Sequence, residues 1–212
     1  MQPRSIFLAA LALATATAHA GPPRTLSKDS QLAIDGTSSV RSFTCQARLF
    51  RVETETEPTA GLPLPYRVKA LVKGARLAIA TRALDCGDGT MNHHMYNALK
   101  AEENQEIRFR ITDVEPGAAE NDSLPVKLRG ELTLAGRTLP VTVWATATAT
   151  STGGVRLKGA HLLRMTDWGV NPPSLFFAAI KVGDSVRIRF DLAAEAPNTT
   201  PLADVTPLQG SR

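Results

Sequence analysis

Two aspartates, a cysteine and two adjacent histidines fall within the ten residues Asp85-Cys86-Gly87-Asp88-Gly89-Thr90-Met91-Asn92-His93-His94. Carboxylates beside imidazoles are the groups of general acid–base catalysis, and a thiolate among them suggests zinc. The spacing argues against both. On a helix, neighbouring side chains point about 100° apart, whereas paired metal-binding histidines sit four residues apart on one face. Zinc sets also carry close Cys-x-x-Cys or His-x₃-His spacing, which is absent here. Asp85 and Asp88 alternate with glycines and read as caps. The chain has no Gly-x-Ser-x-Gly, His-Glu-x-x-His or Gly-x-x-x-x-Gly-Lys motif. We therefore assign no catalytic residue, no metal ligand and no cofactor.

The elements around this stretch are strands. Ile107, Phe109 and Ile111 alternate with Arg108, Arg110 and Thr112. The same period of two runs through Val126–Leu134, Thr138–Ala147 and Val186–Leu192, the mark of antiparallel strands with one dry and one wet face. Ala135-Gly136-Arg137 supplies a tight hairpin between the two central runs. Further strands are expected at Gln31–Ile34, Val40–Leu49, Tyr66–Val72, Arg76–Ala83 and Val155–Met165. Only Thr90–Glu103 reads as a helix, with Met91, Met95, Ala98 and Leu99 on one apolar face and Asp88 or Thr90 as cap. The expected fold is all-β: an extended eight-stranded antiparallel barrel with one short helix near residues 90–103. Several inward positions are small (Gly130, Ala145, Ala147, Ala149, Gly159). They either leave room for an elongated apolar ligand or mark places where strands bend.

The beginning of the chain reads as a secretory signal: Arg4, an apolar core Ile6–Ala14, and Ala18-His19-Ala20 before the cut. Residues 1–20 are then the leader, 21–195 one domain, and the Pro- and Thr-rich residues 196–212 a disordered tail. An exported product points to the periplasm. Two cysteines in such a protein, Cys45 and Cys86, suggest one disulfide worth about 3–4 kcal/mol. Two free thiols or a two-cysteine metal site are the alternatives. Basic residues are scattered, which speaks against nucleic-acid binding. The mildly basic charge is compatible with transient contact at an anionic membrane surface.

Three blocks resemble the YceI-like family of exported lipid-binding proteins. They are Leu84–Lys100 followed by Ile107-Arg108-Phe109, the hairpin Gly130–Val141 (GELTLAGRTLPV), and Arg164–Val170 (RMTDWGV) with Gly183–Ile188. Met91-Asn92 stands where the family usually has Arg-Asp, with His94 at the family's helix histidine. The resemblance implies a lipocalin-like barrel with a hydrophobic tunnel for a polyisoprenoid, a quinone or a fatty-acyl chain, held without chemistry.

Trp168, Phe176, Phe177, Met91 and Met95, with Phe109, are the apolar candidates for lining such a tunnel. His161 lies on the inward phase of its strand, either bonded within the protein or facing a ligand head group. Arg164 pairs with Asp167 or faces a pyrophosphate. The function expected is sequestration of an elongated apolar molecule by a non-enzyme, as monomer or dimer. The alternative is an envelope partner protein beside a membrane cytochrome.

Overall fold

The computed structural model describes residues 26–54, 61–175 and 180–195. The expected leader, the tail, and both Phe176 and Phe177 lie outside these residues.

Ten strands form one curled antiparallel sheet. In chain order they are β1 (Gln31–Thr37), β2 (Ser42–Ala47), β3 (Phe50–Glu53), β4 (Arg76–Ala80), β5 (Leu84–Asp85), β6 (Glu106–Pro116), β7 (Ser123–Leu134), β8 (Arg137–Ala149), β9 (Val155–Arg164) and β12 (Ser185–Ala194). The short strands β10 (Ser174–Leu175) and β11 (Ile180–Lys181) pair only with each other. Ten strands stand where eight were expected because two passes of the chain are interrupted, so that β3 and β5 form just beyond the ends of the expected Val40–Leu49 and Arg76–Ala83. Arg48-Leu49 separates β2 from β3, and a 3-10 turn at Thr81–Ala83 separates β4 from β5. Across the break, β3 pairs with β4 and β2 with β5, with Arg48 N donating to Ala83 O at 2.8 Å. The last strands of the order thus meet through the same two passes of chain, and the ten strands amount to eight passes around a barrel.

The β7–β8 hairpin is a two-residue turn in which Ala135 and Gly136 both have positive φ (47° and 80°), the geometry that suits the strand twist. Along β7 every second residue from Leu124 to Leu134 is buried. Outward charges pair across the sheet, as in Arg51–Glu106 (2.6 Å) and Arg129–Glu115 (2.5 Å). These pairs are largely exposed and add little stability.

Tyr66–Val72, expected as a strand, is helical within α1 (Leu64–Val72). Pro65 sits in the first turn, where a missing N–H costs nothing. Val68, Leu71 and Val72 recur at helical spacing and are buried against Ile111, Val114, Leu124 and Val126. Val68, Leu71 and Val72 thus form the apolar face of a helix closing one end of the barrel. The second helix, α2 (Gly89–Ala98), begins where expected; Asp88 Oδ1 accepts from Met91 N at 2.8 Å. It ends sooner than Glu103. Leu99, Met95 and Tyr96 join a second cluster with Leu84, Leu132, Leu134, Leu163 and Trp168. Among the described residues no helix is long and apolar enough to cross a membrane.

Candidate functional site

Inside the sheet lies a cavity of about 550 Å³, within the range of small-molecule sites. Its wall comes from the inward phase of nearly every strand. Ile34, Leu77, Phe109, Val141, Leu157, Ile188 and Phe190 all point inward, yet they are only half-buried. They stay partly accessible because they face the cavity instead of one another. At one end the cavity reaches the surface, since Val40 in the β1–β2 turn is 65% exposed and also lines it. Thr90, Met91 and His94 of α2 and Val182 just after β11 share that rim. At the other end lie Leu71 and Val72 of α1 and Thr54.

Of the small residues expected to face inward, Gly130 and Gly159 lie beneath aromatic rings, whereas Ala149, at the end of β8, is exposed. A Cβ on Gly130 would lie 2.5 Å from the Phe109 ring and from Arg110 O; one on Gly159 would lie 2.7 Å from the Phe190 ring and 2.6 Å from Trp144 O. These glycines hold aromatic rings flat against the wall, so Phe109 and Phe190 line the cavity without filling it.

Met91, Met95, Phe109 and His161 all line this cavity. Trp168 is not among the lining residues. It is buried, and its indole Nε1 donates to Leu132 O at 3.0 Å. Arg164 pairs with Asp184 (3.3 Å), not with Asp167. Cys45 and Cys86 are joined in a disulfide that ties β2 to the approach of α2. Among the contributors not named from the sequence are the α1 residues Leu71 and Val72, and Thr54. The i, i+3, i+4 spacing of Val68, Leu71 and Val72 after Leu64-Pro65 was the signal for the first two.

The opening cluster of polar residues is occupied with structure. Asp85 accepts from Asn92 Nδ2 (3.0 Å) and Gly87 N (2.9 Å), bonds that with Arg48 hold its carboxyl below the usual carboxylate range. His93 Nε2 meets Asn97 Nδ2 at 3.0 Å, and its ring lies edge-on to His94. No group of three or more potential metal ligands occurs among the described residues.

Residues 31–194 match the YceI-like domain. The chain belongs to the YceI-like family. Three solved structures share the fold of this YceI-like protein. BcnA of Burkholderia cenocepacia is 17% identical, with 78% of this chain and 96% of BcnA covered and a TM-score of 0.59. A polyisoprenoid-binding domain from Saccharophagus degradans, implicated in plant cell wall breakdown, is 14% identical, with 81% and 97% covered and a TM-score of 0.61. The YceI protein of Campylobacter jejuni is 13% identical, with 71% and 83% covered and a TM-score of 0.52. No curated protein sequence matches this YceI-like chain.

Proposed function

We propose that this protein is a non-enzymatic carrier that sequesters an elongated apolar molecule, a polyisoprenoid, quinone or fatty-acyl chain, inside the curled sheet. The observation that carries the reading is the run of inward residues left half-buried around one 550 Å³ cavity. A barrel whose only task was stability would close such a space, because protein interiors pack like organic crystals. Each CH₂ transferred from water contributes about 0.8 kcal/mol. Some ten carbons then give roughly 8 kcal/mol, enough for micromolar affinity. Methionines at the rim adapt to chains of differing shape. The polyisoprenoid-binding domain among the structures of like fold supports the ligand class, and the leader-like N-terminus supports export to the periplasm.

The test is native mass spectrometry of the full chain purified from an exported preparation, followed by solvent extraction of what it carries. A prenyl or acyl species at one per chain is expected. A protein that carries no lipid and takes up none from mixed-lipid vesicles would overturn the reading.

A further inference from the structure

One imidazole in the cavity wall has no partner among the described residues. His161 lies on the inner face of β9 between Leu157 and Leu163. Leu157 packs with the cluster at the α1 end and Leu163 belongs to the other cluster. His161 therefore stands at the waist of the cavity. Its neighbour on β12 is Ile188, which pairs in turn with Ile34 on β1. On its other side β9 has already parted from β8, whose ladder ends at Ala145–Gly159. Among the described residues no hydrogen bond or charge reaches the ring; burial alone acts on it and lowers its pKa from the usual histidine value. A neutral imidazole offers one N–H donor and one acceptor, and interiors seldom leave such groups unmatched. At the rim the situation differs: the Ser38 hydroxyl donates to Arg41 O, and Asp88 caps α2.

We propose that the ligand is an uncharged amphiphile whose polar group, a hydroxyl, carbonyl or amide, is buried at the waist of the barrel and hydrogen-bonded to His161. This rests on the carrier reading and narrows it. A bare hydrocarbon would leave a desolvated ring unpaired. A phosphate or ionised carboxylate at that depth would carry an uncompensated charge into an apolar wall. An alcohol or carbonyl matches the ring without either cost. The rival seat is Thr54, whose buried hydroxyl also has no partner among the described residues and which lines the opposite end of the same cavity.

The test is displacement of a fluorescent apolar reporter from the full-length protein by tetradecane, 1-tetradecanol and tetradecyl phosphate. The alcohol is expected to bind about tenfold tighter than the other two, the worth of one buried hydrogen bond. His161→Leu should erase that preference while keeping tetradecane affinity, and Thr54→Val should keep it. Phosphate binding as tightly as the alcohol, or a preference that survives in His161→Leu, overturns the inference. So does a preference lost only in Thr54→Val. Equal binding of all three probes also overturns it but leaves the carrier reading standing, whereas no binding at all overturns both.

Discussion

The indole Nε1 of Trp168 donates to the backbone oxygen of Leu132 at 3.0 Å, in the buried layer beside the cavity. This bond pins the turn after β9 onto β7. It does so where the wall is weakest, because β8 and β9 pair only from Ala145–Gly159 to Ala149–Val155. Arg137 Nη1, donating to Asp167 O at 2.8 Å, fastens the same turn to the start of β8. Replacing Trp168 by Phe removes this hydrogen bond and trims a buried side chain. We expect a loss of about 1–2 kcal/mol in urea unfolding. Lipid stoichiometry by native mass spectrometry should be unchanged, since the indole does not line the cavity.

The disulfide joins Cys45 on β2 to Cys86, 41 residues on, just before α2. Closing a loop of that length stabilises the fold by about 3–4 kcal/mol on the chain-entropy account. A Cys45→Ala/Cys86→Ala protein should lose stability of that order in denaturant titration. Reductant should destabilise the native protein and leave the double variant unaffected. Because α2 forms part of the rim, ligand release measured by reporter exchange should also quicken when the tie is cut.

Gly159 faces Phe190 across the β9–β12 ladder. An added Cβ would meet a backbone oxygen of β8 as well as the ring, and the oxygen has nowhere to go. Gly159→Ala is expected to cost about 1–3 kcal/mol by overpacking, read from the urea midpoint. Shortening the ring in a Gly159→Ala/Phe190→Leu protein should recover only part of the loss, since the clash with Trp144 O persists.

Asp35 receives hydrogen bonds from Arg189 (Nη2 at 2.8 Å) and from Thr44 Oγ1 (2.7 Å), and its pKa falls from 3.8 to about 2, with Arg189 the main cause. A depressed folded value means that the unfolded chain binds the proton more readily. The stabilisation is therefore complete above the ordinary carboxylate value and disappears as pH falls from about 4 to about 2. The pair is partly exposed, so the effect is about 1 kcal/mol or less. Urea midpoints measured across that window should decline, and Asp35→Asn should flatten the decline.

The strands were legible wherever apolar and polar residues alternate, as from Leu124 to Leu134. The β7–β8 turn was legible because Ala135-Gly136 must take positive φ. Asp88 was legible as a cap and the Cys45–Cys86 tie as a pairing. Tyr66–Val72, expected as a strand, is helical because Val68, Leu71 and Val72 pack together against Ile111 and Val126, a contact that local pattern does not show. His161 could be placed on the inner face, but not seen to be without a partner among the described residues.

By itself the sequence determined which residues of the long strands β6, β7 and β12 face inward and roughly how many times the chain crosses the sheet, since both follow from a period of two and from local turn chemistry. Only the tertiary structure decided that the two broken passes complete the barrel, that α1 closes one end, and that Phe109 and Phe190 fold onto glycines. The cavity and the unmatched His161 follow from those three facts. They arise between segments far apart in the chain, where steric fit and the availability of a hydrogen-bond partner, not local pattern, set the outcome.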